Sequence, residues 1–180
     1  GNLGWTGGFS ADADLSLDRF PWYSLLPDLS QPPVELNTLT GSFRWADNQY
    51  QGSLQAETRG PMGEATVAAS LDGDLKGVNL SELALQTGAG SATGSGRVGF
   101  DGPVTWQAAL ELSDFNPGFW VPALEASLNG EVKSEGSLVD APVPRMTASW
   151  DLTGTWRSHE TLATGALDTA TGSWVVSGLE

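Results

Sequence analysis

Apolar and polar residues alternate along most of this chain. From Leu3 the odd positions read Leu3, Trp5, Gly7, Phe9, Ala11, Ala13, Leu15 and Leu17, while the even positions hold Asn2, Gly4, Thr6, Gly8, Ser10, Asp12, Asp14 and Ser16. A period of two sends one set to each face of a β-strand, as in a sheet covered on one side only. The pattern recurs at Leu39-Gly41-Phe43-Trp45, Tyr50-Gly52-Leu54-Ala56, Val104-Trp106-Ala108-Leu110-Leu112, Ala126-Leu128-Gly130-Val132 and Met146-Ala148-Trp150-Leu152-Gly154-Trp156. Turn-forming clusters separate the runs: Ala46-Asp47-Asn48, Arg59-Gly60-Pro61, Asp72-Gly73, Asp101-Gly102-Pro103 and Asp140-Ala141-Pro142. Such short spacing predicts an antiparallel meander. The small-residue stretch Gly88 to Gly96 reads either as a loop or as a close-packed strand. Helix is confined to two corners. Asn116-Pro117 forms an N-cap and first-turn pair that Pro122 stops after about one turn, and Pro21 to Leu26 matches it upstream with a poorer cap.

Those corners belong to a doubled phrase. Leu15 to Pro27 and Leu110 to Pro122 share a strand end, a Phe, a Pro-bearing aromatic segment and a Pro stop. The pairs Leu15/Leu110, Leu17/Leu112, Phe20/Phe115, Pro27/Pro122 and Leu29/Leu124 are all 95 residues apart. A fixed period is the mark of stacked modules that cannot each bury an apolar face alone. A second match, Leu39-Thr-Gly-Ser-Phe-Arg44 with Leu152-Thr-Gly-Thr-Trp-Arg157, has a spacing of 113 and implies an 18-residue insertion around Leu124 to Gly136. The chain therefore reads as a single repetitive β domain over 1–180, with degenerate units at about 10–105 and 106–180. Its start at Gly1 rather than Met marks it as a fragment of a larger protein.

Composition narrows the function classes. Among 180 residues there are 23 Gly, 8 Trp and no Cys, and the net charge is −14. No disulfide or thiolate chemistry is possible without Cys. The acidity argues against nucleic acid and against anionic bilayer surfaces, which both need a basic footprint. No run approaches the length of a membrane-spanning helix.

Candidate chemistry is sparse. His159, the one histidine, lies in a polar turn, so no Ser-His-Asp triad or multi-His metal site is expected. Asp72-Gly-Asp74 is followed by Leu75 and Lys76 and fails the calcium-loop pattern. Asp12 and Asp14 share the polar strand face without an apolar pocket to raise either pKa. The glycines after Gly88 match no phosphate-loop spacing. Asn79-Leu-Ser81 is a formal glycosylation triplet and nothing more. No catalytic residue, metal ligand or cofactor is expected.

The tryptophans say more. Trp5, Trp45, Trp106, Trp150 and Trp156 share parity with the aliphatic residues of their strands, so they face the apolar space and not a sugar. That space is either an ordinary sandwich core or a lipid-wetted groove, and parity alone fits both.

The phrase Leu-x-Leu-x-x-Phe-(Asn)-Pro-x-x-x-x-Pro, followed by Leu128-Asn-Gly-Glu-Val132, resembles the large C-terminal region of the TamB family, related to AsmA-like proteins. The stretch from Leu83 through Gly94-Ser-Gly-Arg-Val98 to Trp106 and Leu112 is similar to the unit before that phrase. The likeness covers roughly residues 10 to 170; the first copy departs from it, with Phe20-Pro21 lacking the Asn and Leu39-Thr-Gly41 replacing Leu-Asn-Gly. It implies an all-β fold, a long antiparallel curled sheet of β-taco type with an open hydrophobic trough and very short helical corners. It also implies a periplasmic segment of an inner-membrane-anchored, envelope-spanning protein. Such a segment would shelter phospholipid acyl chains between the two membranes and support outer-membrane protein and autotransporter assembly with a TamA-like barrel partner. On that reading the trough is lined by Phe43, Trp45, Leu54, Val98, Phe100, Trp106, Leu110, Leu112, Trp150, Leu152 and Trp156.

A second reading is a protein-interaction scaffold whose sheet edges pair with strands of unfolded outer-membrane barrel substrates. A transmembrane barrel segment would need aromatic girdles at strand ends, whereas several Trp fall mid-strand. A carbohydrate-binding or glycosidase domain would need Trp of the opposite parity or a pocketed carboxylate pair.

Overall fold

A computed structural model describes residues 1–5, 9–21, 34–61, 63–119, 122–138, 144–157, 159–169 and 175–177. Twelve strands follow one another: β1 (Asn2–Gly4), β2 (Ser10–Asp18), β3 (Glu35–Ala46), β4 (Gln49–Gly60), β5 (Gly63–Asp74), β6 (Gly77–Thr87), β7 (Gly90–Gly99), β8 (Thr105–Phe115), β9 (Ala126–Ser137), β10 (Arg145–Trp156), β11 (His159–Asp168) and β12 (Val175–Ser177). They form one sheet in which spatial order equals chain order. Every pairing is antiparallel. The sheet does not close into a barrel. The stretch from Gly90 onward, open between loop and strand in the sequence, is strand β7. The first corner beyond Pro21 and the Asp140 to Pro142 turn lie outside the described residues.

Short connections explain the meander. Asp47 and Asn48 link β3 to β4 with φ of 53° and 60°, the paired left-handed geometry of a two-residue hairpin whose twist matches its strands. Between β5 and β6, Asp74 Oδ1 accepts the N–H groups of Lys76 (2.8 Å) and Gly77 (3.1 Å). This is the Asx closure expected of Asp before a tight turn. At the β6–β7 turn the Thr87 hydroxyl donates to the Gly90 carbonyl (3.0 Å) and accepts from Ala89 N–H (3.2 Å).

The two long corners begin alike. Arg19 and Asp114, each directly before the Phe of the doubled phrase, have φ of 47° and 48°. A left-handed residue ends the extended run and turns the chain aside. Arg19 N–H donates to the Asn37 carbonyl (2.7 Å). Asp114 N–H donates to Asn129 Oδ1 (2.9 Å), while the Asn129 amide and the Ser127 hydroxyl donate back to Asp114 Oδ1 (3.2 and 3.3 Å). In the second corner Asn116 Oδ1 accepts from Gly118 N–H (2.8 Å) and Ala126 N–H (3.2 Å), closing two 3₁₀ turns, Pro117–Phe119 and Pro122–Leu124. A Cβ on Gly118 would meet Glu125 Cα at 2.9 Å, so only glycine fits there.

The Leu39 and Leu152 phrases do not sit on equivalent strands. Leu39 lies on β3, the first strand after its corner, and Leu152 lies on β10, the second strand after its own. Leu124 to Gly136 contributes β9, a single strand that follows its corner just as β3 does.

Bulky and minimal residues oppose each other across the strands. A Cβ on Gly165 would run into the Trp150 ring, one on Gly136 into Trp106, one on Gly73 into Tyr50, and one on Gly94 into Leu110. Each large side chain occupies the space of its neighbour's missing Cβ, and for Trp150, Trp106 and Tyr50 this is the aromatic cover that compensates for a strand glycine.

Two stability changes follow. Gly165→Val displaces Trp150 from its bed and is expected to lower unfolding free energy by about 1–3 kcal/mol in a urea melt. Asn116→Ala leaves two corner N–H groups without their acceptor and is expected to cost about 1–2 kcal/mol in the same measurement.

Candidate functional site: an uncovered apolar face

The strand registers join the apolar positions into rows that cross the sheet. One row runs Leu15–Gly41–Leu54–Ala69–Leu83–Gly94–Leu110–Val132–Trp150–Gly165 from β2 to β11. The next runs Leu17–Leu39–Ala56–Val67–Leu85–Ala92–Leu112–Gly130–Leu152–Ala163. Neither contains a polar side chain. A third, Ala13–Phe43–Gly52–Leu71–Leu80–Gly96–Ala108–Ser134–Ala148–Leu167, has only Ser134. Toward one sheet end lies Ala11–Trp45–Tyr50–Gly73–Val78–Val98–Trp106–Gly136–Met146, in which Tyr50 stacks on Trp45 at 5.9 Å and its hydroxyl donates to the Gly77 carbonyl (3.1 Å). The Trp106 indole N–H donates to Ser134 Oγ (3.2 Å), which accounts for the polar interruption next door.

Three bulges keep these rows in register. In β6 the apolar positions are even through Leu80 and odd from Leu83, and the pairing shifts between them at Ser81 and Glu82. In β3 the switch falls between Leu36 and Leu39 at Asn37, and in β8 between Leu112 and Phe115 at Ser113 and Asp114. An extra residue at each place returns the side chains to the same face.

This face is not covered as a core would be. Among the described residues the buried apolar side chains are Ala56, Ala65, Ala92 and Ala126 on the strands and Phe119, the one large member, in the β8–β9 corner. Of the eleven residues expected to line a trough, register puts ten on this face; Phe100 stands just past the end of β7, exposed, with its N–H on the Lys76 carbonyl (2.8 Å). Phe43, Leu54 and Trp156 are exposed, and Trp45, Val98, Trp106, Leu110, Leu112, Trp150 and Leu152 are half-buried. Phe43, Trp45 and Leu54 lie on β3 and β4, and the others, Phe100 apart, on β7, β8 and β10. Between them the face is completed by Val67 and Leu71 on β5 and Leu80, Leu83 and Leu85 on β6, which alternation in the sequence did not single out.

The opposite face is mostly polar and exposed, with alanines such as Ala109 and Ala166 among its residues. A depression of about 820 Å³ on it is lined by Asn79, Arg97, Gln107, Lys133, Glu135 and Thr147, among others. Cations there meet acids in exposed pairs: Arg44 with Asp12 (3.6 Å), Arg59 with Glu64 (2.7 Å), Lys133 with Glu131 (2.7 Å) and, at the strand ends, Lys76 with Asp101 (3.0 Å). Hydrogen bonding to Glu64 and to Asp101 raises the pKa values of Arg59 and Lys76 above their ordinary range. Exposed pairs of this kind contribute little to stability.

The remaining chemical candidates are accounted for by structure. Asp72 accepts from the Asn79 amide (3.0 Å), Asp74 closes a turn, and His159 is exposed at the start of β11. No group of three or more His, Asp or Glu that could hold a metal occurs among the described residues, and no helix there is long and apolar enough to cross a membrane.

No curated protein and no solved structure matches this chain. A family model does: "TamB, N-terminal domain", over residues 12–180. The family is the one that the doubled phrase resembles, although the matching region is the N-terminal domain and not the C-terminal region. With nearly the whole sheet inside the match, the chain belongs to the TamB family.

Proposed function

We propose that the apolar face shelters phospholipid acyl chains, as a noncatalytic segment of an inner-membrane-anchored TamB protein in the periplasm that serves lipid traffic between the two membranes. The observation that carries this reading is the pair of ten-position rows without a polar side chain, left without a second layer among the described residues. Each methylene moved from water onto such a surface contributes about 0.8 kcal/mol. A contiguous apolar surface of this extent on a soluble domain marks an interaction site. Headgroups stay in water, and outer-membrane protein and autotransporter assembly with a TamA-like barrel partner follows as the role of the parent protein.

Strand pairing with unfolded barrel substrates is the competing use. It needs free backbone at a sheet edge. Strands β3 to β10 are each paired on both sides, which leaves only the margins beside β2 and β11, where the ladders to β1 and β12 each hold three residue pairs. The face offers far more surface than those margins do.

Native mass spectrometry of the gently purified chain is expected to show co-purified phospholipid. Leu110→Asp, in the middle of the all-apolar row, should lose it, and Gln107→Asp on the polar face should keep it. A wild-type chain free of lipid that also fails to take up added phospholipid would overturn the reading. Photo-crosslinking that captures unfolded barrel protein along β2 and β11, and no lipid along the rows, would favour strand pairing.

A further inference from the structure

One end of the apolar face is occupied by the protein itself. Phe119, in the corner between β8 and β9, is 2% exposed. Its ring and carbonyl lie against Gly60 at the far end of β4: a Cβ on Gly60, which would project from the apolar face, would meet Phe119 Cε1 at 2.9 Å and its carbonyl oxygen at 3.3 Å. The chain thus leaves β8 and folds back along the sheet end toward the β4–β5 turn before entering β9. The buried alanines of this face gather at the same end, whereas Thr169, 2% exposed, lies at the opposite end beside Met146. Ala56, Ala65, Thr87, Ala92 and Ala126 are all small, all on the apolar face, and Ala65 is 2% exposed. The large side chains that share rows with these alanines, such as Leu39, Leu85 and Leu112, stay half-exposed.

We infer that the Asn116–Phe119 turn is a built-in strap, with Phe119 as an internal guest that fills the alanine-lined margin of the apolar face and limits how far a bound acyl chain extends over it. Small residues make a shallow bed, and an aromatic ring is the shape that fills it. The turn is held in place from both sides: Asn116 Oδ1 ties Gly118 to Ala126, and Arg157 Nη2 donates to the Ala123 carbonyl (3.2 Å), so that the strap is positioned by β9 and by the β10–β11 turn. Phe119 acts here as a specificity-setting residue for the length of apolar chain. This inference rests on the acyl-chain reading above.

Displacement of a fluorescent fatty acid by decanoic, myristic and stearic acid tests it on the full chain. Phe119→Ala uncovers the margin, and Gly60→Val pushes the ring off from the opposite side, so that either variant decides the question if the other fails to fold by far-UV circular dichroism. Both should bind stearic acid more tightly than wild type, by about fourfold for each methylene that the freed margin takes up. Decanoic acid, too short to reach the margin from the middle rows, should bind equally. Phe119→Leu, which refills the bed, should restore wild-type selectivity. Thiol labelling of Ala65→Cys reads the strap without any lipid: slow in an otherwise wild-type chain, faster by tenfold or more when combined with Phe119→Ala. Equal stearic acid binding by wild type and a folded variant overturns the strap alone. Absence of fatty-acid binding by every protein, with Ala65→Cys still protected, overturns the acyl-chain reading and the selectivity claim with it.

Discussion

A strand that slips by one residue turns every side chain to the wrong face, and a ten-strand apolar row tolerates no such slip anywhere along its length. That constraint organises this protein. Phe43 meets Gly52, Gly73 meets Val78 and Leu85 meets Ala92 because two-residue turns between those strands set the register. Where a strand must bend, the lost register is restored by an inserted residue, and the inserted residues are polar: Asn37, Ser81 with Glu82, and Ser113 with Asp114. The last of these is stabilised by the reciprocal hydrogen bonds between Asp114 and Asn129.

The second layer that a one-sided sheet normally needs is replaced, over much of the face, by side chains set over neighbouring glycines. Trp150 on Gly165, Trp106 on Gly136 and Tyr50 on Gly73 each cover backbone that would otherwise be wet. The arrangement keeps the apolar layer one side chain thick. A sheet built in this way gains from burial within its own surface and still offers most of that surface to something else. It also makes the glycines structural: any side chain at Gly136 or Gly165 would lift a ring off the sheet.

How much of this could be read from the sequence depended on parity. Strands β3, β4, β8, β9 and β10 carry large apolar residues at alternate positions, and their faces were evident from residues such as Phe43, Trp106 and Trp150. The centre of the sheet was harder to read. On β5 Val67 and Leu71 alternate with Ala65 and Ala69 while Ala68 stands on the other face, and on β7 the face is Ala92, Gly94 and Gly96, too small to announce a side. On β6 the bulge at Ser81–Glu82 reverses parity in mid-strand, so Leu80 and Leu83 look like members of opposite faces. The spacing of 95 residues marked both corners, and the left-handed Arg19 and Asp114 give it a conformational counterpart. The return of Phe119 to Gly60 is a contact between residues 59 positions apart with no local signal, and no periodicity could have revealed it.

The charge distribution completes the division of labour between the faces. Carboxylates such as Asp12, Asp72, Glu131, Glu135 and Asp151 stand on the polar face, where Arg44 and Lys133 are held in exposed pairs with Asp12 and Glu131. A net charge of −14 raises the cost of bringing two such faces together, so stacking of copies through the polar side is opposed. The apolar rows contain no charge at all. On the acyl-chain reading proposed above, the partner is selected by what it lacks: a surface without charge, thin enough to lie on a one-residue-deep layer and flexible enough to follow a twisted sheet. A hydrocarbon chain meets all three conditions, whereas a folded protein surface, with its polar rim, meets them only in part.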